Sequence, residues 1–290
     1  MHKIEQAIAV FLEGIDKRTP KEFEHLIEEF GENCKKALRD CLLSQRKDEP
    51  FKIRMSAIGK PLRQLFLERD NGRGTMDSQQ RLRMTYGYMW ESFVLFLLQA
   101  SGLKLEQNKF VALDVNYDEG KTFKLNGAYD IKIDGEIYDI KSASSWSYDN
   151  KFTNFENMEK DDPFGYCGQA LGYSLADRSH FGGWIVCDKS DGRIKVVEIP
   201  KGNYREVARK YLDDFKYKIK MLLNPKAEIP PCTGVVEETF NKKPTGEKHL
   251  SKSCEFCSNK YQCHPGLEFL EEKSSKAVTK KRKYYLPKGN

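Results

Sequence analysis

Apolar residues recur at helical spacing from the start of the chain. Within residues 2–17, Ile4, Ala7, Ile8, Phe11, Leu12 and Ile15 share one face, which predicts an amphipathic helix. Thr19-Pro20-Lys21-Glu22 then reads as a capping box with proline at the first helical position, predicting a second helix to about residue 44. The period is lost over residues 47–77, a loop-rich link with one short helix expected near 61–68. A long helix is expected over residues 78–100, closed by Gly102. The period then shortens to two, and residues 109–117 and 122–143 read as strands. Asp162-Pro163 opens another helix, to about residue 176, and "GWIVCDKSDGRIKVVEI" reads as a hairpin turning at Ser190-Asp191-Gly192. Residues 204–223 form an amphipathic helix stopped by Asn224-Pro225, and residues 225–250 show no period. This order predicts a mixed α/β core preceded by a helical segment and followed by a small cysteine-bearing module.

The stretch "NGAYDIKIDGEIYDIKSAS" (126–144) combines structure with chemistry. Asp134-Gly135 is a two-residue turn signal, so Ile133 is expected opposite Glu136, Ile131 opposite Tyr138, Asp130 opposite Asp139 and Ala128 opposite Lys141. Alternation puts Tyr129, Ile131, Ile133, Tyr138 and Ile140 on a core face, with Asp130, Lys132, Asp139 and Lys141 on the other. Two carboxylates directly across a ladder repel unless something neutralises them, and Mg²⁺ or Mn²⁺ favours such oxygen ligands. Lys141 points the same way and is suited to orienting a water or stabilising charge on a phosphate.

Two helices add polar groups. Glu91 has Gly87, Tyr88, Val94, Leu95 and Leu98 as helical neighbours, a costly setting for a carboxylate unless it is paired or bound to metal. Gln169 and Tyr173 lie four apart on one face of the helix after the hairpin.

Composition narrows the setting. The 290 residues carry a net charge of +6, which is compatible with a polyanionic partner. No apolar run approaches the ~20 residues of a membrane span, so no membrane partner is expected. The N-terminus carries acids throughout and no small-residue cleavage site, so a cytoplasmic location is expected, in the host cytoplasm if the gene is carried by a phage. Eight cysteines in such a compartment read as core thiols plus a metal site.

"CEFCSNKYQC" spaces Cys254, Cys257 and Cys263 as Cys-x2-Cys-x5-Cys. A fourth ligand completes either a zinc site, through His264 or His249, or a 4Fe–4S cluster, through another thiol. Cys232 is the nearest candidate in sequence, with Cys34 and Cys41 as distant ones. Cys187 reads as a core residue, and Cys167 as a core residue or one near the site. The terminal "KKRKYYLPK" is suited to contacting phosphates and stacking a base, or to being a solvated tail, and "SSWSYDNKF" (144–152) reads as an exposed aromatic loop able to touch single-stranded DNA.

Taken together, Glu91, Asp130, Asp139-Ile140-Lys141 and Gln169-Ala170-Leu171-Gly172-Tyr173 resemble the PD-(D/E)xK nuclease superfamily in its RecB-type exonuclease branch. That family places a helical acid or His before an Asp on one strand, an acid-x-Lys on the next, and a Gln-x-x-x-Tyr helix after them. The likeness spans about residues 85–175, and the cysteines extend it to 263. Tyr129 rather than Pro precedes Asp130, and the second-strand acid is Asp rather than Glu. The Cys-x2-Cys-x5-Cys triad resembles the iron–sulfur members of that branch, AddB and the nuclease of CRISPR adaptation modules.

The resemblance implies a restriction-endonuclease-like mixed sheet flanked by helices, divided as a helical segment (1–76), a nuclease core (77–224), a cysteine-rich module (225–270) and a basic tail (271–290). It implies one or two Mg²⁺ or Mn²⁺ ions on Glu91, Asp130 and Asp139, with the Ile140 carbonyl as a further ligand. Lys141 positions the attacking water, and Gln169 and Tyr173 contact the strand or tune the site. It favours a 4Fe–4S cluster on Cys254, Cys257 and Cys263 in a structural role, with Zn²⁺ as the alternative; in that branch the fourth thiol comes from N-terminal to the nuclease core, where Cys34 and Cys41 stand, while proximity in sequence makes Cys232 the first choice here. The expected activity is phosphodiester hydrolysis on DNA, as an exonuclease at ends or single strands in recombination, repair or phage DNA metabolism, with a helicase or recombination protein as a possible partner. A structure- or sequence-specific endonuclease and a non-catalytic nucleic-acid-binding module are the alternatives.

Overall fold

Helix α1 (Lys3–Glu13) begins where the His2 ring accepts the Ile4 N–H at 3.2 Å, and it buries Ile4, Ile8 and Phe11. In this computed structural model, residues 1–290 are described except 44–49, 73–77, 161, 276, 277, 279 and 288–290. The capping box forms as expected: Glu22 accepts the Thr19 N–H at 2.9 Å. It introduces a 3₁₀ turn (Pro20–Phe23) and then α2 (Glu24–Ala37), which runs on as a π-helical turn, Leu38–Leu43. The expected end of that helix at residue 44 lies outside the described residues. The link contains α3 (Met55–Ile58), which lacked a sequence signal, and α4 (Leu62–Asn71), the expected short helix. Helix α5 (Ser78–Ala100) follows and ends before Gly102.

The central sheet contains β1 (Leu105–Asp118), β2 (Lys121–Ile133), β3 (Glu136–Ala143), β4 (Phe181–Asp188) and β5 (Ile194–Val197), in that spatial order. Strands β3 and β4 are parallel and the other neighbours antiparallel, so the sheet is mixed. The crossover from β3 to β4 carries α6 (Ser145–Asn150), α7 (Phe155–Lys160) and α8 (Tyr166–Asp177), and α9 (Tyr204–Leu223) follows β5. Alternation along β4 divides two apolar cores. Trp184 and Val186 pack with Leu171 of α8 and with Phe215 and Ile219 of α9. Ile185 and Cys187 pack with Ile4 and Ile8 of α1 and with Val94 and Leu98 of α5. The fold is therefore α/β, a five-stranded mixed sheet among the described residues with helices on both faces.

The hairpin register is as expected near the turn, with Ile133 opposite Glu136 and Ile131 opposite Tyr138. Asp134 (φ 50°) and Gly135 (φ 82°) supply the two left-handed residues such a turn needs. One part of the expected pattern is not found. Tyr129 packs in the core of α8 and α9, whereas Ile131, Ile133, Tyr138 and Ile140 pack in that of α1 and α5. The change of face falls at Asp130. Gln107 pairs with Ile131 and Lys109 with Tyr129, so Asn108, at φ 50°, lies opposite it. A left-handed residue there twists the ladder, and strict alternation does not survive it.

The C-terminal region forms a second sheet. Residues 225–250, expected to be irregular, hold β6 (Val235–Phe240) and β7 (Lys243–Leu250). Short helices α10 (Lys252–Glu255) and α11 (Lys260–Cys263) carry the cysteines, followed by β8 (Glu268–Glu271) and β9 (Arg282–Tyr285). The spatial order is β6-β7-β9-β8, so the last strand is interior and the boundary at 270/271 cuts through one sheet. Tyr285 is fully buried and bonds Glu238 and the Lys273 N–H, and Tyr284 stacks on Phe269 at 4.5 Å. Neither tyrosine belongs to a solvated tail, because pairing on both sides of β9 places them in the sheet. Within residues 144–152, expected as a loop, Ser144 caps the short helix α6; Tyr148 and Phe152 are buried and Trp146 is half exposed. Among the described residues, no helix is long and apolar enough to cross a membrane.

Candidate active site and cysteine cluster

Moving away from the turn, strands β2 and β3 stop pairing at Ile131 and Tyr138, and the acids occupy the opening beyond. The expected ladder pairs Asp130–Asp139 and Ala128–Lys141 are absent. Instead the Asp130 carboxylate accepts the Ile140 N–H at 3.4 Å, standing in for a strand partner. Parallel pairing to β4 holds Asp139 opposite Trp184 and Lys141 opposite Val186, directing both side chains to the α8 side. Lys132 is diverted from the site to Asp177 at the end of α8, 2.7 Å away.

Lys141 Nζ lies 2.6 Å from Asp139 Oδ2 as an ion pair without hydrogen-bond alignment, and that buried oxygen has no hydrogen-bond partner among the described residues. Burial opposes the charge on Lys141, but Asp139 and Asp130 outweigh it and raise its pKa. Burial pushes Glu91 up to about 7, with Lys141 pulling it down and Asp139 pushing it further up. Asp130 is held well above the usual carboxylate range, first by burial and then by the charges of Asp139 and Glu91. Glu91, Asp130, Asp139 and Lys141 therefore form one electrostatic group drawn from α5, β2 and β3.

Three carboxylates against one ammonium leave an imbalance that a divalent cation removes. The oxygen donors, among them an Asp139 oxygen that is ion-paired but not hydrogen-bonded, fit Mg²⁺ or Mn²⁺. The side chains are not arranged as a ready ligand set: among the described residues, no three His, Cys, Asp or Glu groups stand together in metal-holding positions. Asp130 is turned to the Ile140 amide and Asp139 to Lys141, so ligation requires both carboxylates to exchange partners.

Helix α8 closes the site from the other side. Asp162 anchors its start by accepting the Tyr166 N–H at 2.9 Å and the Cys167 N–H at 2.8 Å. Gly165 (φ 76°) touches the α3 end so closely that a Cβ there would stand 2.3 Å from the Gly59 backbone. Gln169 donates to the Tyr173 hydroxyl at 2.8 Å, and Tyr173, buried beside the acids, is pushed up to about 12 by that burial. Two further residues belong here. The Tyr166 ring lies 4.6 Å from Lys141 Nζ, and Tyr88, three residues before Glu91, is raised by burial and by the Glu91 charge. Both share a helix face with residues already singled out, Tyr166 with Gln169 and Tyr173, Tyr88 with Glu91, which is the signal that marks them.

The cysteines form a second cluster. Cys254 is pushed up to about 11 by burial, then by the neighbouring Cys232 and Cys257. Burial and the adjacent Cys263 raise Cys257. Cys232 Sγ lies 3.2 Å from His264 Nε2. Gly234 makes room for this approach, since a Cβ there would fall 1.8 Å from Cys254 Sγ. Cys232 thus lies beside Cys254 of the triad, although here too, among the described residues, no three of these groups stand together in metal-holding positions. His249 faces away, bonding the Leu250 carbonyl and lying 3.4 Å from Lys283. Cys34 and Cys41 sit on α2 and its π-turn, and Cys167 and Cys187 lie in the two apolar cores.

No known protein family's model matches the chain, and no curated protein matches it. A solved structure titled "Crystal structure of SSO0001" is similar to it with a TM-score of 0.42 and 16% identity, over 82% of this chain and 96% of that one.

Proposed function

We propose that the protein is a metal-dependent DNA nuclease of the PD-(D/E)xK superfamily, of RecB type and built on a restriction-endonuclease-like core. The observation that carries this reading is the convergence of Glu91, Asp130, Asp139 and Lys141 where β2 and β3 part, beside the hydrogen-bonded Gln169–Tyr173 pair. Four residues from three elements meet there in the order of the motif.

Glu91, Asp130 and Asp139, with the Ile140 carbonyl, would hold one or two Mg²⁺ or Mn²⁺ ions. Such an ion supplies Lewis acidity toward the scissile phosphate and eases deprotonation of a water. Lys141, kept cationic by its carboxylates, stabilises charge developing on the phosphate and orients the nucleophile. The Gln169–Tyr173 pair fixes the α8 face against which the strand lies. Cys232, Cys254, Cys257 and Cys263 would hold a 4Fe–4S cluster in a structural role; Zn²⁺ with His264 is the alternative donor set. DNA ends or single strands are the substrate, in the cytoplasm, with a helicase or recombination protein as the partner that exposes them.

The test is degradation of end-labelled linear and covalently closed DNA with Mg²⁺, Mn²⁺ or EDTA, for the wild type and Lys141→Ala. Metal-dependent loss of the linear substrate alone, abolished in the variant, is expected. Cleavage of the closed circle would make the protein an endonuclease. No cleavage by folded, metal-supplied protein would leave a binding module.

A further inference from the structure

A run of three rings leads out of the site. Tyr166, over Lys141, stacks on Phe164 at 5.3 Å with 25° between planes. Phe164 meets Phe256 at 5.2 Å. Phe256 lies within the Cys254–Cys257 knuckle, so the run joins the catalytic lysine to the cysteine cluster. Each ring has a cation near its face: Lys141 at Tyr166, Lys151 at both Tyr166 and Phe164, and Arg83 of α5 at Phe256.

Two features separate this run from ordinary core packing. Phe164 is 37% exposed and Phe256 is 38% exposed, a costly position for two neighbouring phenylalanines. The cations come from three separate parts of the chain, β3, the end of α6 and α5, so the rings and positive groups are brought together by the fold and not by one local sequence run. Exposed rings interleaved with Lys and Arg are the composition that receives unpaired nucleotides: bases stack on the rings and phosphates meet the cations.

We propose that Tyr166, Phe164 and Phe256 form a base-stacking ledge carrying an unpaired nucleic-acid strand between the cysteine module and Lys141. This rests on the nuclease reading and deepens it. The ledge requires bases as well as phosphates, and it gives the cysteine module a part in substrate binding. Phe256 and Phe164 act by positioning the strand, and neither touches the reacting phosphate.

The experiment compares binding of a fluorescent oligo-dT with an abasic oligonucleotide of equal length and charge, in EDTA so that no hydrolysis intervenes. Wild type is expected to favour oligo-dT by about tenfold or more, as one or two stacked bases supply. Phe164→Leu and Phe256→Leu keep apolar volume and lose the stacking face; each is expected to bring oligo-dT affinity down toward the abasic value and leave abasic binding unchanged. Phe256→Trp is expected to restore the preference. Equal wild-type affinity for the two oligonucleotides, or an unaltered preference in both leucine variants, overturns the ledge. Hydrolysis measured on the same samples separates the two readings: a wild type that cleaves DNA without base preference sinks the ledge and keeps the nuclease. A protein that neither binds nor cleaves sinks both.

Discussion

Lys141 Nζ sits 2.6 Å from Asp139 Oδ2, two residues back on the same strand, and this contact holds the only cation paired with the three carboxylates among the described residues. Replacing the lysine should therefore act twice. Lys141→Ala is expected to lower kcat by at least about 10²-fold, the scale of losing one well-placed charge-stabilising group. It should also leave Glu91, Asp130 and Asp139 to repel one another, lowering the Tm in EDTA and enlarging the Tm rise on adding Mg²⁺. Kinetics on oligonucleotide together with thermal unfolding in both buffers reads both effects. Unchanged turnover would remove Lys141 from the chemistry.

The acids set a pH dependence whose sign differs between stability and activity. Glu91 is pushed up to about 7 from an ordinary 4.5, and Asp130 is raised too. At this cluster the folded protein thus retains protons that the unfolded chain has released, so the cluster's contribution to metal-free stability is present at low pH and is lost as pH rises from about 4.5 toward 7. The loss attributable to Glu91 is at most about 3 kcal/mol. Glu91→Gln should flatten that slope in denaturant titrations at pH 5 and pH 7.5. Cleavage with Mg²⁺ should run the other way, rising as the carboxylates ionise, and its midpoint should move to lower pH as Mg²⁺ is raised, because metal and protons compete for the same oxygens. A slope that is the same in wild type and Glu91→Gln would contradict the assignment of a buried, metal-free acid cluster.

The second cluster predicts its own metal. Protein purified without oxygen is expected to contain iron and acid-labile sulfide and to absorb broadly in the visible. Serine at Cys232, Cys254, Cys257 or Cys263 should abolish that absorption, while His264→Ala should retain it. Zinc in place of iron, with loss of metal in His264→Ala, would select the three-thiol, one-imidazole site that the 3.2 Å Cys232–His264 approach also permits.

Much of the core was legible because its chemistry and its geometry coincide. Asp134-Gly135 announces a turn that few other pairs make, and the register near it follows. Asp130, Asp139 and Lys141 stand out because charges on a strand flanked by apolar residues need a reason, and Glu91 stands out for the same reason on its helix. The departure of β2 from β3 was not legible. Nor was the change of face at Asp130, which lies opposite Asn108 at φ 50°, a conformation that an Asn in a polar run does not announce. The second sheet was hidden in a similar way: β6 and β7 turn through Asn241 and Lys242 at φ 50° and 63°, with no glycine at either position. Strand β9 has four residues, too short for a period-two pattern to emerge from a basic run. The approach of Cys232 to the triad is a tertiary contact, and nearness in sequence was the only guide to it.

Asp162 offers a test of how α8 supports the site without being part of it. Its carboxylate accepts the N–H groups of Tyr166 and Cys167, so the first turn that carries Tyr166 hangs on this one side chain. Asp162 precedes the N-cap, Gly165, but its carboxylate serves the first-turn N–H groups as a capping side chain does, so Asp162→Ala is expected to cost about 1 kcal/mol of stability. Asp162→Asn should cost less, since the amide oxygen still accepts one of the two bonds. Loosening that turn frees Tyr166 from its place over Lys141 and disturbs the Gln169–Tyr173 pair one turn on, so cleavage should fall further than stability does. The comparison is kcat and KM at a temperature well below both unfolding transitions. A lower kcat in Asp162→Ala with substantial recovery in Asp162→Asn ties the cap to the chemistry. Equal kcat in wild type and Asp162→Ala would show that the position of α8 does not matter to the reacting groups.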